Sequence, residues 1–262
     1  MSLRFGIGPL SGPDPLQLVD EVGGVEEDGD AWLGTASLED HGVLVRAAGP
    51  VLDIGCGPGR HTQALKDLGV DVLGIDVTPS LLETATRRGA PVLAASVFGL
   101  LPRMGQWQTA LTLDGNAGLG GDPVGLLRRL RRVLRPDGRI LADLASGPAA
   151  RSRRLRLRHG GRLGPRFSWA PLHVNDLDLV AKTAGFEVVD LWKREQRWFC
   201  ELGPATPVSS PDSTPAAVTA AMRPPPPAGV AHRLAGTLAE SVPALSQSYP
   251  ALAGSLTRTG LA

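Results

Sequence analysis

The sequence of 262 residues predicts a doubly wound α/β fold on a mostly parallel sheet, and three observations carry that expectation. Between residues 51 and 203 short apolar runs alternate with segments of helical period, as strands joined by crossover helices do. A glycine-rich turn follows the first of those runs directly. An acidic residue, Asp76, closes the second.

Residues 1–50 mix short apolar runs with the acidic patch Glu26, Glu27 and Asp28, and a partly helical lead-in is expected there. The first strand covers 51–54, the glycine turn 55–59 and a helix 60–68. The second strand falls at 70–75, its helix at 79–87, the third strand at 92–95 and the fourth at 109–113. Asp122 followed by Pro123 reads as an N-cap with proline at the first helical position. That helix would turn Leu126, Leu127, Leu130, Val133 and Leu134 inward and leave Arg128, Arg129, Arg131 and Arg132 as a solvated face. A turn at 135–138 leads into the fifth strand, 139–144. Within the basic run 151–162 the alternation of Arg154, Arg156 and Arg158 predicts a strand with one charged face. A helix over 175–184 stops at Gly185, and strands at 186–192 and 197–202 bring the total to seven besides the charged strand of the basic run. After Gly203 the Pro/Ser/Thr-rich composition cannot continue a helix or central strand. Residues 204–262 are therefore expected to form a linker and a flexible or weakly helical tail, with 230–238 its one amphipathic stretch.

Lys and Arg total 27 against 26 Asp and Glu, so the net charge of +1 gives no global pull toward nucleic acid or a membrane surface. Cys56 and Cys200 offer neither a disulfide framework nor a zinc spacing. Apolar runs stay well short of the roughly 18 residues a spanning helix needs. These features predict a cytoplasmic protein that holds no metal, with no membrane or nucleic-acid partner.

The chemistry lies in the turn. Gly55, Gly57 and Gly59 stand at alternate positions between a strand and a helix, where backbone passes close to a ligand. Asp76, about 20 residues on, can accept hydrogen bonds from both hydroxyls of a ribose. A dinucleotide fingerprint would place its third glycine at position 60, which is Arg60. Asp53, just before the turn, would repel a pyrophosphate and suit a ligand bearing an ammonium and a sulfonium. In the loop after the fourth strand Asp114 and Asn116 are the candidates for acid–base work or for substrate or cofactor contact, with Asp114 also counted among the cofactor-binding residues. His41, His61 and His173 are expected as surface or cap residues. Phe167 and Trp169 fit either core packing or an acceptor wall, and the basic run admits an anionic acceptor.

The stretch from Val51 to Leu144 resembles the cofactor half of class I S-adenosylmethionine-dependent methyltransferases, which have a Rossmann-like fold. VLDIGCGPGRHT stands as the first motif of that family, LGIDVTPSLLETA as its second, and LLRRLRRVLRPDGRIL as the segment before the fifth strand. Asp137 replaces the first glycine of the usual Leu-x-Pro-Gly-Gly pattern. Asp114-Gly-Asn-Ala-Gly-Leu-Gly-Gly-Asp-Pro is similar to the corresponding loop of actinobacterial members with undefined substrates. The resemblance implies a seven-stranded sheet with its last strand antiparallel, S-adenosylmethionine as cofactor and S-adenosylhomocysteine as product, and a small-molecule acceptor. It also implies that Gly55, Cys56, Gly57 and Gly59 contact the methionine part, Asp53 helps hold its ammonium, Asp76 with Val77 binds the ribose, and Ser96 and Val97 read the adenine. Two other functions compete: a catalytically silent adenosylmethionine-binding module and, disfavoured by the glycine spacing, a nicotinamide-dependent oxidoreductase.

Overall fold

The computed structural model describes residues 7–10, 14–147 and 152–205. The strands are β1 (Gln17–Val19), β2 (Val25–Asp28), β3 (Val51–Ile54), β4 (Val72–Asp76), β5 (Val92–Ala94), β6 (Trp107–Thr112), β7 (Leu134–Leu144), β8 (Arg153–His159), β9 (Arg162–Leu163), β10 (Phe167–Trp169), β11 (Phe186–Arg194) and β12 (Arg197–Pro204). The helices are α1 (Leu38–Leu44), α2 (Arg60–Asp67), α3 (Pro79–Arg87), α4 (Pro123–Val133) and α5 (Leu177–Ala184). Almost all of the expected tail, with its stretch 230–238, lies outside the described residues.

Seven strands form one sheet in the order β11-β12-β7-β6-β3-β4-β5. Strands β3 to β7 pair in parallel, while β12 runs antiparallel to both β7 and β11. This is the doubly wound sheet with an antiparallel last strand. Strand order reverses at β3, with β4 on one side and β6 on the other, and the crevice at the strands' carboxyl ends opens at such a reversal.

Burial on both faces explains why these strands read as continuous apolar runs. Val51, Val72, Leu111, Leu141 and Phe199 pack against Val43 and Leu44 of α1 and Leu65 of α2. Leu52, Ile54, Ala110, Ile140 and Ala142 cluster on the opposite face with Leu126, Leu127, Leu130 and Val133 of α4 and with Leu177 and Ala181 of α5. Because side chains alternate along a strand, Asp53 and Asp143 share the α1/α2 face. The α4 start matches its sequence signature, with the Asp122 carboxylate accepting from the Gly125 amide at 3.0 Å.

Three local expectations change. Trp107 pairs with Leu134 but Thr109 with Arg139, so residues 135–138 form an irregularity inside β7 rather than a turn before it. The lead-in contributes two strands besides its helical turns. Those strands join β8, β9 and β10, which come from the segment between β7 and α5, in a second sheet of order β10-β8-β1-β2 with β9 beside β8. All pairings in this small sheet are antiparallel.

Candidate cofactor and acceptor site

A cavity of about 530 Å3 lies between the carboxyl ends of β3, β4, β5 and β6 and the small sheet. On the main-sheet side it is lined by Gly55, Cys56, Gly57, Asp76, Val77, Ser96, Val97, Asp114 and Asn116, which the sequence singles out. Gly59 and Asp53 are not on its lining.

The glycines are needed for different reasons. Gly57 has φ of +53°, and a Cβ there would meet nothing nearer than the Gly55 carbonyl at 4.0 Å, so the space above it belongs to the cavity. A Cβ on Gly55, φ +67°, would strike the Asn116 carboxamide at 2.8 Å. Asn116 uses that closeness, donating from Nδ2 to the Gly55 carbonyl at 3.0 Å. The Asp76 carboxylate accepts from the Thr78 amide at 2.7 Å and from the Gly57 amide at 3.1 Å, bracing the glycine turn against the end of β4. Burial pushes its carboxyl up, and these amides pull the other way. Val77 is 62% exposed and Phe98 52%, although both are apolar and both line the cavity. An open glycine cradle, a carboxylate beyond it and uncovered apolar side chains beside it fit a nucleoside-type ligand with an aliphatic arm.

Asp53 sits behind the turn, 2% exposed, and accepts from Thr62 Oγ1 at 2.6 Å. Burial raises its carboxyl, against the charge of His61 and the Thr62 hydrogen bond. Ser96 turns its hydroxyl back to accept from the Phe98 amide at 3.2 Å. Burial and the neighbouring carboxylates push the Cys56 thiol up, and burial pushes Cys200 up to about 12, so both thiols stay neutral.

Asp114 belongs to a charged cluster that sequence reasoning missed. It adopts φ of +58°, a left-handed conformation, and its carboxylate meets Arg60 at 2.6 Å and Arg197 at 3.6 Å. The amides of Asp114 and Gly115 both donate to Asp143, each at 2.9 Å, and Arg197 reaches Asp143 at 3.1 Å. Arg60 also pairs with Asp40, which Arg197 contacts at 2.8 Å and His61 at 3.4 Å. Burial would raise the Asp40 carboxyl, but His61 and Arg60 hold it well below the usual carboxylate range. His61 is buried at 4% exposure, which corrects its expected surface or cap position. Burial pulls its imidazole down, yet Asp40, Asp114 and Asp53 outweigh that and raise it above 6.5. His173 is buried too, whereas His41 lies against the Ser37 carbonyl at 2.7 Å. A signal existed for Asp143, a carboxylate inside an otherwise apolar strand, and for Arg60, a cation directly after the glycines.

One further feature differs from expectation, and one choice left open by the sequence is decided. Arg129 is no solvated side chain: it donates from Nε to the Val97 carbonyl at 2.8 Å and ties α4 to the loop after β5. Phe167 and Trp169 line the cavity, and the Trp169 indole donates to the Gly115 carbonyl at 2.9 Å. Among the described residues no group of three or more His, Cys, Asp or Glu could hold a metal ion, and no helix is long and apolar enough to cross a membrane.

The fold is that of solved S-adenosylmethionine-dependent methyltransferases. Residues 51–138, about a third of the chain, match the family model described as a methyltransferase domain. The trans-aconitate 2-methyltransferase of Paracidovorax citrulli is 32% identical over 100 residues, 37% of this chain and 38% of its own. A ubiquinone biosynthesis O-methyltransferase of Xanthomonas oryzae pv. oryzae is 31% identical over 111 residues, 40% of this chain and 46% of its own. The matches thus span less than half the length of these curated relatives. A crystal structure of a SAM-dependent methyltransferase from Bacteroides fragilis in complex with S-adenosylhomocysteine shares the fold, with a TM-score of 0.64 at 24% identity over 74% of this chain and 90% of that one.

Proposed function

We propose that the chain transfers a methyl group from S-adenosylmethionine to a small-molecule acceptor held under the small sheet. The observation that carries this reading is the shared cavity, which the glycine turn and Asp76 enter from one side and the small sheet closes from the other. The names of the two curated relatives, one for trans-aconitate and one for ubiquinone biosynthesis, also point to acceptors of small-molecule size.

When bound, S-adenosylmethionine supplies a methyl group on a sulfonium sulfur, which an acceptor's lone pair takes as the electrons of the carbon–sulfur bond return to sulfur. The backbone from Gly55 to Gly57 cradles the methionine part, and Asp76 accepts from the ribose hydroxyls. Val77, Ser96 and Val97 border the adenine. Asp53 acts from behind the turn through Thr62, which keeps the first turn of α2 in place. Asp114 and Asn116 are committed, the first to Arg60 and the second to Gly55. Their contribution is to fix the loop that lines the cavity beside the acceptor, so acceleration comes mainly from alignment and exclusion of water.

Native mass spectrometry of the protein with an equimolar mixture of S-adenosylmethionine, S-adenosylhomocysteine, NAD and NADP tests the assignment. Adducts with the two sulfur nucleosides alone are expected. A dinucleotide adduct without either of them would overturn it.

A further inference from the structure

The small sheet presents two chemically opposite faces. Leu18 pairs with Leu157 across β1 and β8, and Phe167 pairs with Leu155 across β10 and β8, so these four share one face. Leu18, Leu157 and Phe167 of that face line the cavity. Arg154, Arg156 and Arg158 alternate onto the other face. There Arg156 donates to the Gly164 carbonyl at 2.8 Å, and Arg158 grips Gln17 Oε1 at 2.7 and 3.0 Å. Arg154, Arg156 and Arg158 are therefore turned away from the acceptor space, while Arg153, in register with Trp169, lies over the Trp169 ring, pairs with Glu26 and does not line the cavity.

The cations that do line the cavity are already paired. Arg60 is held by Asp40 and Asp114, and Arg166 lies at the exposed rim, 3.6 Å from Glu21. Trp169 has committed its indole N–H to Gly115, so its ring offers the cavity apolar surface. A carboxylate or phosphate placed here would lose water against aliphatic and aromatic walls without gaining an uncommitted cation, which is costly. An uncharged flat ring would instead bury its faces against Phe167, Trp169 and the leucines, the contact geometry such side chains favour.

We propose that the acceptor is an uncharged, planar aromatic compound, and that Leu18, Leu157, Phe167 and Trp169 set this specificity. The inference rests on the methyl-transfer reading and names the substrate class of the same cavity.

Calorimetric titration of the protein saturated with S-adenosylhomocysteine, using 2-naphthol and its carboxylated analogue 6-hydroxy-2-naphthoate, tests it. The naphthol is expected to bind, and the carboxylate to bind at least about tenfold more weakly because its charge is desolvated without a partner. Leu157→Arg, which puts a cation on the cavity face, is expected to reverse that order; if this variant does not fold, the two ligands on the wild type still decide. Equal or tighter binding of the carboxylate, or no binding of either ring by nucleoside-saturated protein, would overturn the proposal. Failure of S-adenosylhomocysteine itself to bind would count against the methyl-transfer reading, and is seen before either ring is added.

Discussion

Asn116 joins two loops that line the cavity, since its carboxamide fills the space a Cβ on Gly55 would need and donates to the Gly55 carbonyl. A neutral hydrogen bond of this kind contributes about 0.5–1.5 kcal/mol net. Asn116→Ala is therefore expected to weaken S-adenosylhomocysteine binding about two- to tenfold. Its melting temperature should stay near wild type, because a loop at the strand ends buries little core. An Asn116→Ala protein that melts much earlier yet binds normally would make the residue purely structural. At this scale the main-sheet lining of the cavity was legible, because glycine spacing and Asp76 mark the strand ends where backbone opens onto it. Arg60, Asp143 and Arg197 were not, because an ion-pair cluster is assembled from α2, β7 and β12, which only the tertiary fold brings together.

Among the elements, α4 shows how much a local signature can carry. Asp122 caps it as the Asp-Pro pair announces, while its own exposure and its absence from the cavity lining separate it from the chemistry. Asp122→Ala is expected to cost about 1 kcal/mol, or roughly 2–4 °C in melting temperature, with S-adenosylhomocysteine affinity unchanged. A tenfold loss of affinity would place Asp122 in the site after all. The parallel strands of the main sheet were readable for a similar reason, as β3, β4, β5, β6 and residues 139–144 of β7 are short, mainly apolar runs. The small sheet was not. Its strands β1, β9 and β10 are only two or three residues long, too short for a period, and β1 pairs with β8 across more than a hundred residues of sequence. The alternation in β8 was visible, but which face met the cavity depended on the pairing with β1 and β10.

Over the whole molecule, the buried cluster of Asp40, His61, Arg60 and Arg197 makes stability depend on pH in a defined sense. His61 is raised in the folded state, so its contribution is complete below its ordinary value of 6.5 and is lost as pH rises through the folded value. Asp40 is depressed, so its contribution is complete above 3.8 and is lost as pH falls through its folded value. The difference in melting temperature between wild type and His61→Gln should accordingly be largest below pH 6.5 and shrink as pH rises through the folded value. A difference that grows with pH would mean the imidazole is held neutral.

The central claim is that the glycine turn and Asp76 bind an adenosyl nucleoside for methyl transfer, and calorimetry with S-adenosylhomocysteine on wild type and Asp76→Ala tests it most directly. Hydrogen bonds to a charged acceptor are worth about 1.5–3 kcal/mol. The variant is therefore expected to bind about 10- to 150-fold more weakly, while NAD and NADP give no heat with either protein. An unchanged affinity in Asp76→Ala would contradict the ribose contact, and dinucleotide binding with no response to S-adenosylhomocysteine would contradict the account as a whole.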